Sequence, residues 1–167
     1  HNYGTDGAGS TLLSGVTLPG GQGFTSALSN GDKTLTIFQN NVAVLKIELS
    51  NATGGNYTVT QLAPIQHEPG ADENNVQFTI SYEVTDGDGD PVSGSLTIDV
   101  DDDTPVTSWN CTVRLDDDAL TGGNPGGTGD DIDAAHVTGT LAHSFGADGA
   151  GTTLLTAATL PGVGGFT

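Results

Sequence analysis

Seven aspartates crowd into residues 85–105 of this chain, T-D-G-D-G-D-P-V-S-G-S-L-T-I-D-V-D-D-D-T-P. They form two acidic knots, Asp86, Asp88 and Asp90 before a short apolar stretch, and Asp99, Asp101, Asp102 and Asp103 at its end. Neighbouring carboxylates disfavour each other's ionised form, and a hard divalent cation with a taste for oxygen, Ca²⁺ above all, relieves that repulsion. In the first knot Gly87 and Gly89 let the backbone curl until Asp86, Asp88 and Asp90 converge. The loop is not an EF-hand, because its sixth position is Pro91 and its twelfth is Thr97 where Gly and Glu are needed. In the second knot strand geometry puts Asp101 and Asp103 on one face and Asp102 on the other. Asp116, Asp117 and Asp118 are the nearest acids in sequence that could meet them, and an ion there would stiffen a joint. The plain alternatives are a solvated turn for the first knot and a charged linker for the second.

A third acidic stretch carries a weaker signal. Residues 126–131 match the opening of a calcium-binding nonapeptide, G-G-x-G-x-D, but Asp133 stands where a large apolar residue belongs and there is no second copy. Asp130, Asp131 and Asp133 are therefore secondary places for a peripheral ion. The residue types for catalysis are not arranged for it. His1, His67, His136 and His143 lack metal-ligand spacing, no G-x-S-x-G occurs, and no phosphate loop precedes a helix. The expectation is a protein that is not an enzyme.

The elements that would hold these acids read as strands. Val76, Phe78, Ile80, Tyr82 and Val84 alternate with polar residues, as do Leu96, Ile98 and Val100, the period of a sheet with one buried face. Further strands are expected over 11–18, 24–28, 33–38, 42–49, 57–62, 106–115 and 136–142. Turn signals separate them, among them Pro19-Gly20-Gly21, Asn30-Gly31-Asp32, Gln39-Asn40-Asn41 and Gly54-Gly55. No stretch has a helical apolar period, and glycine with β-branched residues argues against helix. Many short strands and frequent turns predict an all-β fold, a sandwich or barrel.

Composition narrows the setting. A net charge of −18, with Lys33, Lys46 and Arg114 the only strong cations, excludes nucleic acid and anionic lipid as default partners and favours metal ions. Leu, Ile, Val and Phe make up about 23% of the residues, so the core is expected to be lean. Cys111 is the only cysteine, which forbids an intrachain disulfide; a buried, inert thiol is the plain expectation and an interchain bridge the sharper one. Three N-x-T sequons, at Asn51, Asn56 and Asn110, are what chance supplies in a chain this rich in Asn and Thr. The absence of methionine, of a charged-then-apolar leader and of a long apolar run predicts a piece of something longer, with no membrane insertion of its own.

The chain also repeats itself. Residues 1–25 and 143–167 align without gaps at a spacing of 142 residues, with Gly4 on Gly146, Asp6 on Asp148, Leu12 and Leu13 on Leu154 and Leu155, and Phe24 on Phe166. So long a period suits one globular domain per repeat. Residues 1–103 then read as the later part of one domain and 104–167 as the early part of the next. The two copies are expected in successive domains, or in two subunits that exchange strands.

V-R-L-D-D-D-A-L from Val113, the H-x-[FY]-G-x-D-G-A-G segments at His1 and His143, V-Q-F-T-I-S-Y-E-V-T-D-G-D-G-D and L-T-I-D-V-D-D-D-T-P resemble the tandem repeats of giant type I-secreted bacterial adhesins of the repeats-in-toxin class. The resemblance implies tandem Ig- or cadherin-like β-sandwich extender domains, with calcium at the linkers. It also implies secretion through a C-terminal signal, an extracellular place at the bacterial surface or matrix, and a part in adhesion or biofilm. By motif it extends ion ligation to Asp101, Asp103 and the Asp86 to Asp90 turn. Expected partners are neighbouring copies of the same repeat, with cell-surface or matrix ligands left to other parts of the chain. The functional expectation is a calcium-stiffened spacer, and the alternative is a subunit of a self-assembling filament, matrix or surface layer.

Overall fold

A computed structural model describes residues 3–70, 74–130 and 133–160. Its contacts divide the chain into two units, His1–Thr104 with Ala147–Ala150, and Pro105–Gly146 with Gly151–Thr167.

The first unit is a β-sandwich of two antiparallel sheets. One has the order β1-β6-β7, from Ala8–Thr17, Val76–Asp86 and Pro91–Val100; the other has the order β2-β3-β4-β5, from Phe24–Ser29, Thr34–Gln39, Val42–Leu49 and Tyr57–Gln61. The period-2 pattern sets which side chains turn inward. Val76, Phe78 and Ile80 of β6 and Leu13 of β1 meet Leu35 and Ile37 of β3 and Leu45, Ile47 and Leu49 of β4. Phe78 is fully buried and takes the edge of Phe24 at a centroid distance of 5.2 Å. Burying one such side chain contributes about 1.5–3 kcal/mol.

Turn chemistry fixes the registers. Asn40 and Asn41 both have positive φ, 49° and 68°, and make a two-residue turn of the primed type that pairs Gln39 with Val42. The β6–β7 hairpin runs without a shift from Thr85 opposite Pro91 to Val76 opposite Val100. Strand β1 begins at Ala8, earlier than its apolar pattern suggests, and crosses two irregularities on β6. One is at Gly9, where an added methyl would overlap the carbonyl oxygens of Thr85 and Asp86.

The second unit departs from expectation. The strand predicted over 106–115 shrinks to β8, Val106–Thr107, and the one over 136–142 does not form. Among the described residues β8 pairs only with β9, His143–Ser144. A two-stranded ladder has no second layer to cover it. Trp109, Val113 and Leu115 are accordingly exposed, and no described residue of this unit is buried. Cys111 is exposed too, against the expectation of a buried thiol. The single helical element among the described residues is a 3₁₀ turn, Asp117–Ala119. No helix among the described residues is long and apolar enough to cross a membrane.

Candidate metal centres

Among the described residues, three groups of acids or acids with histidine bring one donor atom each to within 4.8 Å of one another. The first sits where the β6–β7 turn meets the loop before β1 and joins Asp6, Asp86 and Asp88. Asp86 closes the turn on itself, its Oδ1 accepting from the N–H groups of Gly89 at 3.1 Å and Asp90 at 2.8 Å. Gly87 then lies flat against the Asp6 loop and donates its N–H to the Gly7 carbonyl at 3.1 Å. A side chain at 87 would strike the Asp6 carbonyl, so glycine there permits the approach that brings Asp6 in. Asp86 and Asp88 titrate apart. A hydrogen bond between the two side chains, backed by donors from Asp90 and Gly89, holds Asp86 below the usual carboxylate range. The same bond and the charge of Asp86 push Asp88 up.

Expected convergence of Asp86, Asp88 and Asp90 is thus met for two residues. Asp90 enters through its backbone: its carbonyl accepts from Asp86 N–H at 3.2 Å as the chain starts β7. Asp6 takes the third carboxylate position.

At the opposite end of the same hairpin Asp99 and Asp101 share a face, a pair other than the expected Asp101 and Asp103. An amide bridges them, Asn75 Nδ2 donating to Asp99 Oδ2 at 3.2 Å and to Asp101 Oδ1 at 2.6 Å. Asp103 Oδ2 accepts the Ala147 N–H at 2.7 Å. Asp102, facing the other way, joins His67 and Asp148 in the second group. His67 Nδ1 lies 3.0 Å from Asp102 Oδ1, and the two side chains keep only 5% and 13% of their exposure. Burial, then the hydrogen bond and charge of Asp102, push the Asp148 carboxyl up, while His67 pulls it down.

The loop carrying His67 is pinned beneath it. Gln39, a buried polar residue at the end of β3, donates from Nε2 to the Gln66 carbonyl and accepts the Gln66 N–H at Oε1, both at 2.8 Å. Ile65 is fully buried one residue earlier.

In the second unit Asp116 caps the 3₁₀ turn, its Oδ1 accepting from Asp118 N–H at 2.9 Å. Asp116 and Asp118 group with Asp130, whose Oδ2 takes the Gly126 N–H at 2.7 Å. Burial, then the charges of Asp116 and Asp130, push Asp118 up. So two primary sequence candidates and one secondary one meet here. Asp117 and Asp133 stand outside this group, and Asp131 lies outside the described residues.

Sequence reading missed Asp6, His67 and Asp148. The first and last had a signal, since they are the same position of the duplicated segment. His67 had none, because its partners are remote in the chain. Compared with family models, with curated proteins and with solved structures, the chain finds no match in any of the three.

Proposed function

We propose that the chain is a non-catalytic, extracellular repeat unit of a giant bacterial adhesin, a tandem Ig-like β-sandwich stiffened by calcium that holds an adhesive tip away from the cell. The observation that carries this reading is the cluster of Asp6, Asp86 and Asp88, three oxygen donors at one end of the sandwich. Ca²⁺ takes six to eight oxygens, so three carboxylates with backbone carbonyls and water suit it. Asp116, Asp118 and Asp130 supply a second oxygen-only set. The acids at 99–103 occupy the far end of the hairpin, about 30 Å away by strand rise. Acid at both ends of a rigid body is the distribution a spacer needs if ions are to govern its stiffness.

The test is melting of the full chain in calcium and then in chelator. With affinities around 10⁻⁴–10⁻³ M, ion at ten millimolar stabilises by roughly 1.4–2.7 kcal/mol per site, a rise of several degrees. Asp88→Asn should abolish much of it. An unchanged melting temperature sinks the reading.

A specific observation favours a second reading, the strand-sharing filament. Leu154 and Leu155 of the second copy are exposed, whereas Leu13 of the first is buried in a sheet. A segment with the pattern of β1 and no strand partner is suited to complete a sheet in another subunit. Electron microscopy of the purified chain separates the two: helical order favours the filament, isolated particles the spacer.

A further inference from the structure

Both ring nitrogens of His67 are buried and neither has a hydrogen-bond partner. Its side chain is 5% exposed, so bulk water barely reaches it. A buried polar atom without a partner costs free energy, and such atoms are rare in folded proteins. Asp102 Oδ1 is near enough at 3.0 Å to accept from Nδ1, but the two are not aligned as a hydrogen bond. Close approach without alignment is how two ligands of one ion stand, since their lone pairs converge on a third point between them. Asp148, from a third chain segment, brings a carboxylate oxygen to within 4.8 Å of both.

We propose that His67, Asp102 and Asp148 form a binding site for a transition-metal dication of the Zn²⁺ class, one imidazole nitrogen and two carboxylates closing three sides of it. The nitrogen decides the class of ion. Ca²⁺ and Mg²⁺ are bound through oxygen, whereas an imidazole with carboxylates suits Zn²⁺ and its first-row neighbours. Zinc bonds of about 2.0–2.2 Å set tetrahedral donors roughly 3.4 Å apart, close to the 3.0 Å between His67 Nδ1 and Asp102 Oδ1, and rotation of the exposed Asp148 side chain brings the third donor to that spacing. Solvent reaches that side and supplies the remaining ligand. The imidazole is held ready by the loop beneath it, through the paired hydrogen bonds of Gln39 with Gln66 and the buried Ile65. Zinc here would tie the segment at Ala147–Ala150 to the end of β7, a role independent of whether calcium fills the oxygen-only clusters.

Isothermal titration of the metal-free full chain with Zn²⁺, in excess Ca²⁺ to occupy oxygen-only sites, tests this. One Zn²⁺ should bind per chain at this site. Its affinity should fall at least about tenfold in His67→Phe, which keeps a buried ring without nitrogens, and in Asp148→Asn, since even an outer-shell loss costs that much. Asp88→Asn should leave it unchanged. Asp148 is exposed, so its variant reports even if the His67 substitution fails to fold. Absence of Zn²⁺ binding, or binding that Asp148→Asn leaves intact, overturns the proposal. Loss of the calcium-dependent melting shift with zinc binding retained would instead overturn only the calcium reading.

Discussion

Residues 3–18 and 145–160 carry nearly the same wording and end in different structures. Their openings agree: Gly4 and Gly146 have φ of 79° and 81°, Gly7 and Gly149 have 87° and 90°. Beyond that point they part. The first copy forms β1 against β6, while its equivalent, residues 150–159, makes no strand and is exposed throughout. Leu13 is 4% exposed and Leu155, its counterpart, 91%. A small chemical difference marks the divergence. Tyr3 ties its loop down, its hydroxyl donating to the Thr53 carbonyl at 2.8 Å and sharing a hydrogen bond with Thr11 at 2.9 Å. Phe145, in the same place, has no hydroxyl and sets its ring edge-on to His143 at 4.7 Å. The comparison teaches that a turn is a property of its own residues, whereas a strand is a property of a pair. The partner of β1 begins at Val76; among the described residues the second copy has no strand laid against it.

Replacing the paired leucines should break the symmetry most. Leu13→Ala leaves a hole between the sheets and should cost about 2–5 kcal/mol in denaturant unfolding. Leu155→Ala should change stability by no more than about 0.5 kcal/mol. Equal losses would mean that the second copy is packed as the first is. Next comes the glycine pair. An added methyl at Gly9 meets the backbone of β6, whereas at Gly151 it meets only the Phe145 ring at 3.7 Å. Gly9→Ala should cost about 1–3 kcal/mol and Gly151→Ala close to nothing, read from paired melting curves.

The smallest effect concerns the shared aspartate. Asp148, raised above the ordinary 3.8 by burial and then by Asp102, favours the folded state most below that value. The contribution is lost as pH rises through its higher folded value. In metal-free protein at neutral pH, Asp148→Asn should therefore raise the melting temperature slightly, and the gain should vanish in acid below 3.8. A variant that melts lower at neutral pH would contradict the assignment of repulsion to this carboxyl. Asp6→Asn, at the equivalent position, should act on the calcium response instead.

Much of the sandwich was legible because its strands alternate cleanly. Val42–Leu49 forms over the span its pattern suggests, and Val76–Asp86 extends its pattern by two residues into the turn. Segments 106–115 and 136–142 have strand-like residues but lack a layer to bury them, so the first keeps only Val106–Thr107, paired with His143–Ser144, and the second forms no strand. The candidate sites were half legible. Asp86 with Asp88, and Asp116 with Asp118, lie close in sequence, and local turns bring each pair together. Asp6 and Asp130 join these pairs from other segments, and His67 meets Asp102 and Asp148 across three segments, which no local pattern announces.

What the sequence by itself determined is everything decided within a few residues: alternation of buried and exposed side chains, glycine-dependent turns, the acidic charge, and loops that repeat their dihedral angles in both copies. Only the tertiary structure decided which of two equal strands would pair, and that an isolated histidine would lie buried against two aspartates. Hydrogen-bond ladders, burial and ligand clusters need atoms from distant segments at one place, and the sandwich alone supplies that proximity.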